Sequence, residues 1–295
     1  MITRRMFHGA IAGFAAAGGS THRARAQGTA MTAIDSHAHV FRRGLPLAAS
    51  IRYAPDYDAT PEDYLKTLEA NGISNAVLVQ PSFLGTDNSY MLDALKRYPD
   101  RFRGIAVVQP DIAPDALRAL ASAGVAGIRL NLIGARNPPF DTEPWPTLLK
   151  RLAELGWQVE VQAEARRWPE LLPLLLKSGV TIVADHFGKP DPKLGVDDPG
   201  FQHLLKSGAT GRVWVKISGS YRNGAGLPAA AMPLLRDSFG LDHLVWGSDW
   251  PHTQFEKTTS YTAARQELDM WLSDAGDREV VLLDAPRKLF WMTRS

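Results

Sequence analysis

The chain has 295 residues, 45% of them hydrophobic, which is enough to bury the core of one large domain or two modest ones. Residues 1–26 hold four arginines and no acidic residue, so the remainder carries 29 basic and 31 acidic residues and lacks the basic excess typical of nucleic-acid-binding proteins. The sequence contains no cysteine, which excludes a disulfide framework and thiolate chemistry.

Residues 1–26 have the features of an export signal. Thr3-Arg4-Arg5-Met6-Phe7 resembles the twin-arginine motif, a mildly apolar run covers Ala10–Ala17, and Ala24-Arg25-Ala26 has the small-x-small pattern of a cleavage site. The apolar run is too short to span a bilayer. A disordered tail is the alternative, but the order of the three features favours export. We therefore expect a mature chain, residues 27–295, that resides in the periplasm without a membrane span.

The first β-like run of the mature chain, Ala33–Phe41, carries two histidines. Side chains alternate along a strand, so His37 and His39 point to the same face. Gly44 and Pro46 follow, which places the pair near the C-terminal end of the strand. Two neighbouring imidazoles can bind a metal ion or polarise a carbonyl oxygen, although so short a motif also occurs by chance.

Strand and helix patterns then alternate along the chain. Further β-like runs cover Asn75–Pro81, Phe102–Gln109, Ala126–Leu132, Trp157–Ala163, Val180–Asp185, Arg212–Ser218 and His243–Ser248. Helix-like runs cover Thr60–Asn71, Tyr90–Tyr98, Pro114–Ala123, Pro144–Leu155, Trp168–Ser178, Gly200–Ser207, Ala229–Phe239, Thr259–Leu272 and Glu279–Phe290. The first of these helices has a capping threonine, a first-turn proline and early acidic residues, all typical of a helix N-terminus.

Eight strands, each followed by a helix, predict a single (β/α)8 TIM barrel over residues 27–295. The apolar runs Ala76–Val79 and Thr181–Ala184 are continuous rather than alternating, as expected of parallel strands buried on both faces. A doubly wound sheet is the alternative. It is disfavoured because no glycine-rich dinucleotide fingerprint follows the first strand.

Polar side chains recur near the C-terminal ends of these strands, where a TIM barrel builds its active site. Any one of them is more simply a hydrogen-bonded core residue, but their recurrence at one end of the barrel favours a shared site. They are Gln80, Ser82, Arg129, Asn131, Glu160, Gln162, Glu164, Asp185, His186, Lys216, Ser218, Tyr221, Arg222, Asp249 and His252.

Three histidines and one aspartate of this end could form a catalytic centre. His37, His39, His186 and Asp249 together suit a zinc ion that keeps one coordination position for water. Alternatively, the imidazoles polarise a carbonyl group directly, while Asp249 acts as general base on water. The residue types are compatible with both, so a divalent metal and metal-independent catalysis both stay open.

This constellation resembles the amidohydrolase superfamily of TIM barrels, whose signature is H-x-H on strand one, a histidine at strand six and an aspartate at strand eight. Within the superfamily, the chain is similar to the branch of 2-pyrone-4,6-dicarboxylate lactonases and related muconolactone and sugar-lactone hydrolases. The resembling segments are Asp35–Phe41, Gln80–Ser82, Gly85–Asn88, Gly127–Asn131, Asp185–Pro190, Lys216–Gly219 and Trp246–His252.

The resemblance implies hydrolysis of a cyclic ester. Asp249 would activate water, and the histidines would polarise the lactone carbonyl with or without one metal ion such as zinc. The lysine that bridges two metals on strand four of other amidohydrolases is absent, and Arg129 and Asn131 occupy that strand instead. This departure argues against a binuclear centre.

The resemblance also implies substrate-binding residues. Arg129, Arg136 and Arg222 match positions around the acidic groups of the substrate, and Ser82 matches another contact. Planar guanidinium groups suit carboxylates and sulfonates. Tyr53, which follows the first strand, is a further candidate.

Two candidate substrate contacts depart from the pyrone lactonase. Gln162 and Gln254 stand where that enzyme has a tyrosine and an asparagine. We therefore expect a different small anionic lactone, such as a sulfomuconolactone or muconolactone, from the bacterial degradation of aromatic compounds.

Two other functions remain open on the sequence alone. Decarboxylases of small aromatic-pathway acids share the fold and the H-x-H motif, and release of carbon dioxide would identify that reaction. A non-catalytic binding barrel would leave the four catalytic candidates without a common role. The sequence does not indicate the oligomeric state.

Overall fold

Eight strands, β1 to β8, form one parallel sheet that curves into a nearly closed barrel. The computed structural model describes residues 31–224 and 226–292, and the predicted export segment lies outside this part of the chain. The strands cover Ile34–Ala38, Asn75–Val79, Phe102–Ala106, Val125–Asn131, Gln158–Gln162, Thr181–Ala184, Val213–Ser218 and Leu244–Gly247. Strands consecutive in sequence are neighbours in the sheet, as expected of a (β/α)8 barrel.

A helix follows each strand, and two further helices end the described chain. They are α1 (Pro61–Ala70), α2 (Ser89–Arg97), α3 (Pro114–Ser122), α4 (Trp145–Glu154), α5 (Trp168–Lys177), α6 (Pro199–Lys206), α7 (Leu227–Phe239), α8 (Tyr261–Trp271), α9 (Ala275–Glu279) and α10 (Ala285–Phe290). The predicted cap is confirmed, since the Thr60 hydroxyl accepts a hydrogen bond from the backbone N–H of Asp63 at 3.1 Å. Among the helices of residues 31–224 and 226–292, none is long and apolar enough to cross a membrane.

The first and last strands approach each other at the C-terminal end of the barrel. The backbone N–H of Asp249 donates to the carbonyl oxygen of His37 at 2.8 Å, and that of His39 donates to Trp250 at 2.8 Å. A Cβ atom on Gly247 would lie 2.5 Å from the Cβ of His37, so only glycine permits this approach. This contact between β1 and the end of β8, which we call the seam, therefore holds Asp249 next to the two histidines.

The interior of the barrel changes from apolar to polar along its axis. Strand β7 shows this change, because its inward side chains are Trp214, then Lys216, then Ser218. The apolar layer at the N-terminal end of the barrel contains Ile34, Val77, Val79, Ile105, Val183, Trp214 and Val245, packed against Leu289 and Phe290 of α10. The polar groups are consequently concentrated toward the C-terminal end.

The observed strands are shorter than several of the predicted ones. Residues predicted at strand ends, including Gln80, Asp185 and Ser248, lie beyond the last paired residue. The Gln80 side chain donates to carbonyl oxygens of the loop after β2, Asp185 accepts from Arg129, and the Ser248 hydroxyl accepts from the backbone N–H of Trp250. The predicted terminal segment Glu279–Phe290 is a helix with one π-helical turn at Val280–Asp284.

Candidate active site

A cavity opens at the C-terminal end of the barrel, with an empty volume of about 630 Å³ that includes its open mouth. It is lined by His39, Arg52, Tyr53, Arg129, Asn131, Ile133, Gln162, His186, Lys189, Arg222, Asp249, Thr253, Gln254 and Phe255. Eight of these are predicted site residues. His37, the remaining catalytic candidate, is buried within hydrogen-bonding distance of His39.

Two of the predicted substrate contacts are placed elsewhere. Ser82 begins a short 3-10 turn after β2 and does not line the cavity. Arg136 is exposed in the loop after β4, because that loop carries its side chain to the surface. The resemblance alone could not place these side chains, since loop paths depend on contacts that the motif does not contain.

The two histidines of β1 lie side by side on the same face of the strand, as their spacing predicts. Their Nε2 atoms are 3.3 Å apart, and the Nδ1 of His39 lies 2.7 Å from the carbonyl oxygen of Val79. A carbonyl oxygen can only accept, so His39 carries its proton on Nδ1 and presents a lone pair at Nε2.

The protonation of His37 follows from its other neighbour. The Nζ of Lys216 lies 3.1 Å from Nδ1 of His37. An ammonium group can only donate, so Nδ1 accepts and Nε2 carries the proton of a neutral ring. Burial, and then the charge of Lys216, hold the pKa of His37 well below its ordinary value. His37 therefore donates its Nε2–H to the lone pair on Nε2 of His39.

One oxygen of the Asp249 carboxylate accepts hydrogen bonds, and the other accepts none from the residues that the structure describes. Its Oδ2 accepts hydrogen bonds from the Tyr221 hydroxyl at 2.6 Å and from Nε of Arg222 at 2.5 Å. Its Oδ1 lies 3.6 Å from Nε2 of His39. Burial opposes the charge, but Arg222 and then His186 hold the pKa of Asp249 well below its ordinary value. The group is thus a carboxylate at neutral pH, with Oδ1 available.

His186 completes the set from the loop after β6. Its Nδ1 lies 2.9 Å from the hydroxyl of Ser218, and its ring centroid is 4.9 Å from that of His37. Burial lowers the pKa of His186 to about 3. His37 and His186 are therefore neutral hydrogen-bonding groups at neutral pH.

Backbone strain is concentrated around this site. His186 and Asp249 have φ angles of 52° and 61°, in the left-handed region that non-glycine residues seldom adopt. In the described ranges, the non-glycine residues with positive φ are His186, Phe187, Lys189, Asp249, His252 and Gln254, all in the loops after β6 and β8. Such strain costs on the order of 1–3 kcal/mol per residue and clusters at functional sites. Sequence patterns did not reveal it.

A buried ionic layer supports the site from below. The Nζ of Lys216 lies 2.7 Å from Glu160 and 3.4 Å from Asp185, and Nε of Arg129 lies 3.2 Å from Asp185. Gln162 accepts a hydrogen bond from Arg129 at 2.7 Å. These contacts fix Arg129 at the cavity floor and Lys216 beneath His37. The sequence placed Lys216 near the site without giving it a role.

The buried carboxyl of Glu160 should make stability depend on pH. Burial raises the pKa of Glu160 from 4.5 to about 7. Between these values the folded state holds a proton on Glu160 that the unfolded chain has lost, so this contribution to stability falls as pH rises through the window. The Glu160 contribution to the free energy of unfolding should fall by about 3 kcal/mol from pH 4.5 to pH 8, whereas the buried neutral His37 and His186 contribute in the opposite direction. The Glu160→Gln variant should lack this component in urea titrations, and identical pH profiles for both proteins would contradict it.

The donor atoms fit a divalent metal in kind and spacing. Nε2 of His37, Nε2 of His39 and Oδ1 of Asp249 are separated by 3.3, 3.6 and 3.9 Å. Tetrahedral zinc with bonds of about 2.1 Å separates its donors by about 3.4 Å. One feature opposes a metal. His37 would have to move its proton to Nδ1 and lose the hydrogen bond that Lys216 donates.

A barrel that joins an H-x-H pair to a histidine after β6 and an aspartate after β8 defines an amidohydrolase-type protein. The family model described as Amidohydrolase matches residues 34–291, and the chain belongs to this family.

Relatives of known name cover nearly the whole chain. The 4-sulfomuconolactone hydrolase of Hydrogenophaga intermedia is 30% identical over 87% of this chain and 88% of its own. The 2-pyrone-4,6-dicarboxylate hydrolase of Comamonas testosteroni is 31% identical over 88% of this chain and 90% of its own. A crystal structure of a probable 2-pyrone-4,6-dicarboxylic acid hydrolase from Acinetobacter baumannii, with citric acid bound, has 39% identity and a TM-score of 0.86, covering 89% of this chain and 100% of that one.

Proposed function

We propose that the protein is a carboxylic-ester hydrolase that opens a small anionic lactone in the degradation of aromatic compounds. The observation that carries the proposal is the free Oδ1 of Asp249, which faces the histidine pair at the floor of a cavity lined by arginines. The named relatives act on lactones bearing acidic groups, as their names state. This agrees with the chemistry of the cavity.

The hydrolytic step follows from the placement of these groups. The lactone carbonyl oxygen would approach the histidine pair and accept the Nε2–H that His37 otherwise donates to His39. A water molecule attacks the carbonyl carbon while Oδ1 of Asp249 takes its proton. The same N–H group stabilises the tetrahedral oxyanion. Its collapse breaks the ring C–O bond, and the proton held by Asp249 passes to the leaving oxygen, which yields a hydroxy or keto acid.

The acidic group of the substrate would bind at the arginines. Arg129 is buried and oriented by Asp185 and Gln162. A guanidinium group of fixed orientation suits the planar carboxylate and also the sulfonate group. Gln254 and Tyr53 line the same cavity and would contact the ring. We propose a carboxylated or sulfonated lactone, such as 4-sulfomuconolactone or a related muconolactone or pyrone.

Proton release against a panel of lactones tests the function directly. The purified protein would be assayed with 2-pyrone-4,6-dicarboxylate, muconolactone, 4-sulfomuconolactone and a sugar lactone. Opening of an anionic ring supports the proposal. A preference for the sugar lactone would support lactone hydrolysis but contradict the proposed binding of an acidic group by the arginines. Release of carbon dioxide from a small aromatic acid, with no ring opened, would favour a decarboxylase instead.

A single divalent metal such as zinc, when bound, would be held by His37, His39, His186 and Asp249 and would polarise the carbonyl as a Lewis acid. Because Lys216 keeps the proton of His37 on Nε2, we expect activity to change less than about twofold after dialysis against a chelator. Metal content by mass spectrometry would be measured on the same samples. Loss of activity that zinc restores would show that the ion is required.

We also propose that the protein is exported to the periplasm. The proposal is supported by the twin-arginine-like motif and by the order of features within residues 1–26. Fractionation of cells that express the full chain tests it. Recovery of the uncleaved, full-length protein in the cytoplasmic fraction would contradict it.

A further inference from the structure

Tyr221 donates a short hydrogen bond to the proposed general base, although it does not line the cavity. Its hydroxyl lies 2.6 Å from Oδ2 of Asp249, the oxygen that also accepts from Nε of Arg222 at 2.5 Å. Burial, and then the negative charge of Asp249, raise the pKa of Tyr221, so the phenol keeps its proton and is the donor. Tyr221 therefore contacts the base without contacting the space that a substrate would fill.

The Asp249 carboxylate needs such an anchor to present Oδ1. The terminal torsion of an aspartate side chain is broad and roughly two-fold, so rotamer preference alone does not decide which oxygen faces the cavity. Oδ1 lies 3.6 Å from Nε2 of His39 and 3.9 Å from Nε2 of His37, and both distances are too long for a hydrogen bond. The orientation of the carboxylate consequently depends on the two donors at Oδ2.

These two donors differ in how a bound substrate affects them. Arg222 lines the cavity, where an anion can compete with Asp249 for its guanidinium group. Tyr221 does not line the cavity, and a neutral hydroxyl has no charge to attract the anion. The hydrogen bond from Tyr221 is therefore the one that persists when a substrate binds.

The turn after β7 brings the tyrosine close to the base. Residues Ser220–Arg222 form a 3-10 turn that begins at Gly219, whose φ angle is 57°. A Cβ atom on Gly219 would lie 2.9 Å from Nδ1 of His186 and 3.1 Å from Oδ2 of Asp249, so glycine permits this close approach. The buried Asn223 then donates its side-chain N–H to the carbonyl oxygen of His186 at 3.2 Å. The turn is thereby attached to the loop after β6.

Aromatic packing sets the direction of the Tyr221 hydroxyl. The rings of Tyr221 and Phe255 have centroids 5.0 Å apart, and the guanidinium carbon of Arg222 lies 5.1 Å from the Tyr221 ring centre. The ring of His252 lies nearly perpendicular to that of Tyr221, with its Nδ1 3.4 Å from the hydroxyl. A phenylalanine in place of Tyr221 would keep the ring contacts and lose only the hydroxyl.

We propose that Tyr221 is a positioning residue, whose hydroxyl fixes the rotation of the Asp249 carboxylate so that Oδ1 faces the reacting water. This inference rests on the proposed lactone hydrolysis. Tyr221 touches neither the substrate nor the water and acts only through Asp249. Its removal should slow the chemical step and leave substrate binding unchanged.

The Tyr221→Phe variant tests this role, because it removes a single oxygen atom. We expect kcat for the best acidic lactone to fall about 10- to 50-fold, since an oriented hydrogen bond to a charged group is lost while Arg222 still holds Asp249. KM should stay within about twofold of wild type. Circular dichroism and urea unfolding would verify the fold.

The matched control is Tyr98→Phe. It removes a hydroxyl that donates to Glu62 at 2.9 Å, between α1 and the end of α2, and neither residue lines the cavity. The control loses the same kind of hydrogen bond from a tyrosine to a carboxylate. It should keep the wild-type kcat and KM.

The same substitution in an Asp249→Asn background separates positioning from other roles. If Tyr221 acts only through the base, Tyr221→Phe/Asp249→Asn should hydrolyse the lactone within about twofold of the rate of Asp249→Asn. Single-turnover reactions with enzyme in excess would measure both rates. Binding of the lactone to the two variants, measured by calorimetry, should also agree within about twofold.

The other possible results contradict the inference in different ways. A wild-type kcat for Tyr221→Phe would show that the hydroxyl does not position the base. A further loss of rate in the Asp249→Asn background, or weaker lactone binding, would show that Tyr221 acts on the substrate or on the fold instead. In these cases the wild type still opens the lactone and the hydrolase stands, whereas a wild type that opens no lactone of the panel would overturn the proposed function as well.

Discussion

The Asp249→Asn variant is expected to lose about 10²- to 10⁴-fold in kcat, with KM within a few-fold of wild type. An amide has nearly the shape of a carboxylate but cannot take the proton of the attacking water. Asparagine also tolerates the left-handed backbone better than most residues, and Asp249 has a φ angle of 61°. The variant should therefore fold normally, so that its fall in kcat measures the loss of the general base alone.

The measurement is steady-state hydrolysis of the best acidic lactone, with circular dichroism to verify the fold. Asp242→Asn is a suitable control, because it makes the same change on a largely exposed aspartate just before β8. The control should retain wild-type kinetics. Undiminished turnover by Asp249→Asn would rule out Asp249 as the base.

The Lys216→Met variant is expected to lose about 3–5 kcal/mol of stability, because it removes the buried cation that lies between the carboxyl groups of Glu160 and Asp185. Lys216 is fully buried, 2.7 Å from Glu160 and 3.4 Å from Asp185. Neither carboxyl group can turn to solvent from inside the barrel. Urea unfolding at pH 7 would measure the loss. Lys206→Met, on the exposed side of α6, should change stability by less than about 0.5 kcal/mol.

A double variant separates the two roles of Lys216. Adding Glu160→Gln removes one of the two buried carboxyl groups that contact Lys216. The double variant Lys216→Met/Glu160→Gln should therefore regain much of the stability that Lys216→Met loses. If this double variant folds, the difference between its kcat and that of Glu160→Gln measures the effect of losing the hydrogen bond from Lys216 to His37. A kcat equal to that of Glu160→Gln alone would show that Lys216 does not set the proton position of His37. Additive stability losses would show that Lys216 and Glu160 are not coupled.

Much of the architecture could be predicted, because it depends on local patterns. The alternation along β1 correctly predicted that His37 and His39 lie side by side on the same face of the strand, and the cap at Thr60 correctly located the start of α1. The number and order of the strands followed from continuous apolar runs. These features depend on residues close together in the sequence.

The remaining features depend on contacts between distant segments. The proton position of His37 is set by Lys216, which is 179 residues away along the chain. The exposed position of Arg136 depends on the path of a loop after β4. The strand register, the loop paths and the positive φ angles could therefore be known only from the structure.

The seam between β1 and β8 determines when activity can arise during folding. Asp35 accepts a hydrogen bond from the backbone N–H of Ser248 at 2.9 Å, across 213 positions of the chain. His37 and His39 thus come from the first strand to be synthesised, whereas Asp249 follows the last. A nascent chain that still lacks its eighth strand is inert, however much helix it has formed. During refolding, the return of activity would measure the formation of the contact between β1 and β8. Activity would return later than secondary structure.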